Sequence, residues 1–301
     1  MKLKFLILCV TCLGWNQPIF DSIMDRFSQA SNKNQNSLLE KTYKKDLFGG
    51  YAFINSLYKN NSQIGHVLWI SRYQQKINAK YFATSEAYSD YFSWKSNKKI
   101  YLACSGAYTN GGKPVGFTVD NGKIINKHVS EMDGLVIVYA TGGVVVSDID
   151  KGDLHLKSLG RKLNLRTNSQ DRIDLLNWAV KEKATIFQTH LLAYKDQLRL
   201  NVSRARTERA ERRILVLAKI QGILFHIVYN INSSVYLGDI SSDIFSLLKS
   251  YNAEVIGMLN FDTGSYDIIE VFDQWGQQDN NIKGSTSISS ATNLLIYHYT
   301  E

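Results

Sequence analysis

A chain of 301 residues that is 44% hydrophobic and 12% aromatic can bury a sizeable core, which excludes wholesale disorder. Its net charge of +8 comes with no recognised nucleic-acid-binding motif, so no nucleic-acid partner is expected. Only two prolines, Pro18 and Pro114, occur, so the turns must rely on Gly, Asn, Asp and Ser.

The chain opens with Lys2 and Lys4 and a short apolar run, FLILCVTCLG. A positive start followed by about ten apolar residues has the form of a secretory signal and is too short to span a membrane. Residues 1–22 are therefore expected to be a signal peptide, and the protein to be exported (periplasmic or secreted). Cys12 leaves lipid anchoring open, although Cys9 fits the lipoprotein pattern poorly. With that segment removed, Cys104 is the one remaining thiol, and a lone cysteine is most often a small buried hydrophobe. No other stretch approaches 18 apolar residues, so no membrane span is expected.

Residues 23–63 are rich in Asn, Lys and Ser and read as a polar linker or loosely packed entry, with an amphipathic helical piece at Ser37–Phe48. Strands are expected at His66–Tyr73 and Lys99–Cys104. The segment SGAYTNGGKPVGFTVDNG, Ser105–Gly122, then reads as a loop followed by a hairpin. Asn110-Gly111-Gly112 supplies residues that accept positive φ, and Asp120-Asn121-Gly122 is a tight-turn signal between Val115–Val119 and Lys123–Asn126. Gly134–Tyr139 and Val144–Asp148 form a second hairpin.

A helix is expected over about Gln170–Lys183, with Ile173, Leu175, Leu176, Ala179 and Val180 as its apolar stripe. Strands follow at Ile214–Ala218 and Ile223–Tyr229, joined at Gln221-Gly222. The helix Asp239–Asn252 carries Ile240, Ile244, Leu247, Leu248 and Tyr251 at helical spacing, with Asp239 as its expected N-cap. Val255–Phe261 and Asn293–Tyr299 complete the strands. No repeat or linker divides residues 64–301. The expected fold is α+β, a single domain with a mixed, largely antiparallel twisted sheet packed by two or three helices.

Function is sought where polar residues directly follow buried strands, because a rigid sheet can aim such loops. Three places qualify: Cys104-Ser105-Gly106, Gln188-Thr189-His190 and Asp262-Thr263-Gly264-Ser265. Each taken singly is an ordinary turn.

In order and wording these pieces resemble the phosphodiester glycosidase family, the group named for the lysosomal uncovering enzyme and containing exported bacterial relatives. The resemblance covers roughly residues 64–270. It runs through Cys104-Ser105-Gly106-Ala107-Tyr108, Lys113-Pro114-Val115-Gly116-Phe117, Gln188-Thr189-His190-Leu191, an arginine among 209–213, and Leu259-Asn260-Phe261-Asp262-Thr263-Gly264-Ser265. It departs from the family at Cys104, where relatives carry Asn, at His190-Leu191, where they carry Gly-Pro, and at Thr263, where they carry Gly.

The resemblance implies an exported hydrolase that cleaves a sugar–phosphate diester or a related envelope glycan. Asp262 would be the catalytic carboxylate, because glycosidic cleavage runs through carboxylates acting as acid, base or nucleophile. Gly106, Tyr108, Gly116, Gln188, Arg209, Arg213 and Ser265 would bind substrate. The planar guanidinium of an arginine matches two phosphodiester oxygens, and a helical turn would set Arg209 and Arg213 on one face.

Two further readings stay open. Cys104 with His190 and a nearby Asp262 would make a thiol hydrolase. Alternatively, the fold is a non-catalytic carbohydrate- or envelope-binding module, with Tyr88, Tyr91, Phe92 and Trp94 as stacking surfaces. The histidines show no metal-ligand spacing, and neither a metal nor another cofactor is expected. The expected partner is a glycan or sugar-phosphate ligand.

Overall fold

The computed structural model describes residues 38–84, 86–200 and 208–300. The signal segment, Arg204 and Arg206 lie outside the described residues. The main elements in chain order begin with β1 (Leu39–Leu47), β2 (Ala52–Lys59), β3 (Ser62–Ser71), β4 (Ile77–Phe82), α1 (Ala87–Trp94) and β5 (Lys99–Cys104). Then come β6 (Thr118–Asp120), β7 (Lys123–Asn126), β8 (Gly134–Val138), β9 (Val144–Asp148), α2 (Ser169–Glu182) and β10 (Thr185–Tyr194). The remainder is β11 (Arg209–Ile220), β12 (Ile223–Tyr236), α3 (Leu237–Ser250), β13 (Glu254–Phe261), β14 (Ile269–Phe272), β15 (Gln278–Lys283) and β16 (Leu294–Tyr299).

Asn and Gly turns set the hairpins. Asn60 and Asn61, Asn121 and Gly122, and Gln221 and Gly222 all have positive φ, the requirement of the two-residue turn whose twist matches its flanking strands. They join β2 to β3, β6 to β7 and β11 to β12, closing the pairs Lys59↔Ser62, Asp120↔Lys123 and Ile220↔Ile223.

Two large sheets result, beside two small two-stranded ones, where a single mixed sheet is expected from the sequence, and the strand pairings among the described residues are antiparallel. The larger runs β1-β2-β3-β12-β11-β13-β10-β8-β9, with β6 attached to β10 and to β7. The smaller runs β15-β14-β5-β16-β4. Of the expected helical piece at Ser37–Phe48, Leu39–Leu47 is strand instead. Its charged positions, Lys41, Lys44 and Lys45, sit on an edge strand, where charge discourages unwanted pairing. Strands β1 and β2 thus extend the large sheet rather than forming a loose entry.

The main core lies between the sheets. Leu68, Leu191, Leu215, Val228, Leu259 and Phe261 of the larger meet Tyr101, Ile269, Leu295 and Tyr297 of the smaller. On the far side of the large sheet, α3 buries Ile240, Ile244 and Leu248 against Trp69, Val216 and Ile227. Each such side chain contributes about 1.5–3 kcal/mol. Asp239 lies in the first turn of α3 rather than capping it, since Tyr236 holds the N-cap position without a side-chain bond. There its charge still complements the helix dipole.

Helix α2 begins where Asn168 accepts the backbone N–H groups of Gln170 and Asp171. It turns Leu175, Leu176, Trp178 and Ala179 inward and leaves Ile173 and Val180 about half exposed. The expected stripe is therefore rotated. Trp178 fixes the face, standing edge-on to Tyr139 and donating to Ser158 Oγ. Helix α1 packs Ala87 and Tyr91 against the outer face of the small sheet.

Candidate active site

The end of β13 is where the predicted pieces meet. His190 on β10 pairs with Asn260 on β13, which pairs in turn with Ile214 on β11, so three adjacent strands present neighbouring residues there. The loop after β5 wraps around this end. Gly106 accepts the backbone N–H of Asp262 at 3.2 Å, and Ser105 Oγ donates to the Asp262 carbonyl at 2.8 Å. Tyr108 then reaches over: its hydroxyl bonds Asn260 Nδ2, and its ring stands edge-on to His190 with centroids 5.4 Å apart.

Asp262 is 6% exposed, and one carboxylate oxygen accepts the Gly264 N–H at 2.9 Å. Burial pushes its carboxyl above the ordinary value, while the Gly264 bond and the charge of Arg213 oppose the shift. The Tyr108 hydroxyl is pushed up as well, by burial first and then by the charge of Asp262, with Arg212 opposing. Two polar atoms here, Asn260 Oδ1 and Arg212 Nε, are buried without a partner. Buried polar atoms are nearly always paired, so each of these two has a hydrogen bond left to make.

The loop is fixed by a residue that the sequence does not single out. Asn293, just before β16 and 1% exposed, accepts the N–H groups of Gly106 and Ala107 and the Tyr81 hydroxyl through one oxygen. Its amide nitrogen donates to the Ala107 carbonyl at 3.0 Å. A lone Asn at the start of a strand carries no signal of this in the sequence, because its partners lie nearly two hundred positions away.

The other expected site residues lie away from this strand end or are engaged with protein groups. Arg213 is on a strand rather than a helical turn and is fully buried. It donates to Asp267 at 2.6 Å, to Asn230, to Ser105 Oγ and to the Ile268 carbonyl, leaving it no room to grip a phosphate. Arg209 is exposed and folds back onto the Ser234 carbonyl and the Tyr236 ring. Ser265 is exposed in the loop after Asp262, where its carbonyl accepts from Thr286.

Gln188 is fully buried and committed to backbone. Its oxygen accepts Phe117 N–H at 2.7 Å and Ser130 N–H at 2.9 Å, and its nitrogen donates to the Met132 carbonyl. Gly116 packs against this amide at φ +84°. A Cβ there would lie 2.6 Å from Gln188 Oε1, so only glycine fits.

Cys104 sits in the inter-sheet core with no exposure. Burial pushes its thiol up to about 11, against the opposing charge of Arg213. A thiolate at neutral pH is disfavoured there, while His190 stands at the surface. The chemistry expected of a Cys104–His190 pair finds no support in this geometry.

Beside Gly116 the surface opens into a pocket of about 350 Å³. Lys113, His128, Asn110, Asn126 and Ser130 line it without a carboxylate, and Ser130 Oγ is buried and unpartnered. Its wall joins the Tyr108 segment, since Val115 N–H donates to the Tyr108 carbonyl. Among the described residues no group of three or more His, Cys, Asp or Glu side chains gathers as a metal site requires. Nor, among the described residues, is any helix long and apolar enough to cross a membrane.

No protein-family model matches the chain, and no curated protein matches it in sequence. Solved structures do match in shape. The catalytic domain of zebrafish N-acetylglucosamine-1-phosphodiester alpha-N-acetylglucosaminidase, auto-inhibited by its pro-peptide, superimposes with a TM-score of 0.50 at 10% identity over 93% of each chain. A hypothetical protein from Synechocystis gives a TM-score of 0.45 at 9% identity, covering 88% of this chain and 62% of that one. At such identity the zebrafish match shows a shared fold: this chain has a fold like that of a phosphodiester glycosidase domain.

Proposed function

We propose that this protein is an exported hydrolase of a sugar–phosphate diester or related glycan, with Asp262 as its catalytic carboxylate. The observation that carries this reading is the meeting of Asp262, Tyr108, Asn260 and His190 at one strand end, on a fold like a phosphodiester glycosidase domain.

Cleavage of a glycosidic bond builds positive charge on the sugar ring and negative charge on the departing oxygen. Asp262, partly dehydrated and held by the Gly264 N–H, is suited to exchange a proton with that oxygen or to face the ring as an anion. Tyr108 and Asn260 supply hydroxyl and amide groups for the sugar, and Arg212 supplies a cation at the same strand end.

With Arg209 and Arg213 engaged elsewhere, the basic groups left for the phosphoryl oxygens are Arg212 at the strand end and Lys113 and His128 of the carboxylate-free pocket beside Gly116. Gly106, Gly116 and Gln188 act here by shaping the loops rather than by touching substrate.

The test is hydrolysis of an aryl phosphodiester of N-acetylglucosamine. The wild-type protein should release the aryl product. Asp262→Asn, which preserves the acceptor for Gly264, should lose at least about 100-fold, the lower range of a general acid or base. Cys104→Ser should keep most activity. Undiminished turnover in a folded Asp262→Asn protein would defeat the assignment, and glycan binding without any turnover would leave a binding module. Export is tested separately, by fractionating cells that express the full chain and asking whether residues 1–22 are removed.

A further inference from the structure

A second concavity, of about 570 Å³, lies between α1, the end of β4 and the β6–β7 turn. It shares no wall residue with the pocket beside Gly116 or with the Asp262 site. One wall is aromatic, formed by Trp94 and Phe82 with ring centroids 5.6 Å apart at 68°. Trp94 is steadied from its other neighbours, His298 edge-on at 4.8 Å and Lys98 Nζ at 5.2 Å.

The opposite wall is polar and compact. Asp120 is anchored by the Ala83 N–H at 2.9 Å, Lys80 Nζ bonds Asn121 Oδ1 at 3.4 Å, and Lys123 stands beside them. Asp90 completes the rim, held by the Thr84 hydroxyl at 3.0 Å.

Charge and shape select the ligand. Among the lining residues two lysines and two aspartates balance, and a nucleotide's phosphates would meet Asp90 and Asp120. An aromatic surface facing carboxylate, amide and ammonium groups matches a pyranose ring, which offers an apolar C–H face and a rim of hydroxyls. The volume falls within the range of small-ligand sites and suits one or two sugar rings.

We infer that this pocket binds a neutral pyranose segment of a glycan, apart from the Asp262 site. The inference goes beyond the hydrolytic reading and does not depend on turnover, because binding here should persist in the Asp262→Asn protein.

The experiment is a tryptophan-fluorescence titration of the full protein with cellotriose, maltotriose and triacetylchitotriose, checked by saturation-transfer difference NMR. At least one of the three should bind saturably. Lys123→Ala should weaken that binding by about tenfold or more, the loss of one charge-assisted hydrogen bond. Ser93→Trp, placed on the exposed side of α1 to fill the cavity, should abolish it while far-UV circular dichroism stays unchanged. Trp94→Ala also removes packing against Phe82, so Lys123→Ala and Ser93→Trp carry the decision. Absence of saturable binding by all three sugars overturns the inference, and so does binding unaffected by Lys123→Ala and Ser93→Trp.

Discussion

Glu40 on β1 accepts hydrogen bonds from Asn55 and Trp69, each at 2.8 Å, and from Tyr229 at 3.2 Å, yet it is only 4% exposed. Burial outweighs those three bonds and lifts its carboxyl from 4.5 to about 7. A carboxyl whose folded pKa is raised holds its proton more tightly when folded. Stability is therefore greatest below about 4.5 and is lost as the pH rises toward about 7. The difference between pH 5 and pH 8 should be about 2–3 kcal/mol in urea unfolding, because each tenfold gain in proton affinity on folding is worth about 1.4 kcal/mol. Glu40→Gln should flatten that dependence, and an unchanged profile in the variant would assign it to other groups. At this scale the sequence names residue types but not their surroundings. Cys104 and Arg213 resemble site residues in the linear chain, yet one is core and the other is a buried tie between Asp267, Asn230 and Ser105. The convergence of Asp262, Tyr108 and His190 at one sheet edge is legible because they closely follow or lie within strongly apolar strands.

Among elements, the loop after β5 depends most on a distant partner. Asn293→Ala would leave the N–H groups of Gly106 and Ala107 buried and unpaired, at about 1–3 kcal/mol each. Thermal unfolding should show the loss. Because the same loop carries Tyr108, turnover of the aryl diester should also fall by more than the unfolded fraction explains. Full activity with undiminished stability would show that other contacts hold the loop. Elements with strong local signals are legible in the sequence. The Asn121-Gly122 and Gln221-Gly222 turns, the apolar face of α3 and strand β5 need only neighbouring residues to declare themselves. Strand β1 reads as helical in the sequence because an edge strand needs little apolar alternation, and its burial pattern is irregular. Strand β15 lies in a polar stretch and leaves no clear signal, and β14, though apolar at Ile269, Val271 and Phe272, is only four residues long and takes its place by pairing with the distant β5.

At the scale of the molecule, β16 sits inside the small sheet, bonded to β5 on one side and β4 on the other. Removing residues 293–301 should therefore abolish cooperative unfolding altogether rather than trim an end. Loss of a sharp thermal transition would confirm this, and a two-state transition in the truncated protein would refute it. Such long-range pairing is what a linear sequence cannot display. The character of many strands can be read locally, but the split into two facing sheets is decided by contacts between segments as far apart as β4 and β16.

Gly116 also limits how this protein can be altered. Because an added methyl would collide with the amide of Gln188, the floor of the neighbouring pocket cannot be refashioned by substitution at that position. Attempts to redirect ligand preference must work from the exposed rim, at Lys113 and His128, where side chains can be exchanged without touching the packing beneath. If the pocket holds the phosphoryl group as proposed, a library confined to those positions should change recognition while leaving the scaffold intact, whereas one that included Gly116 should lose most of its members to misfolding.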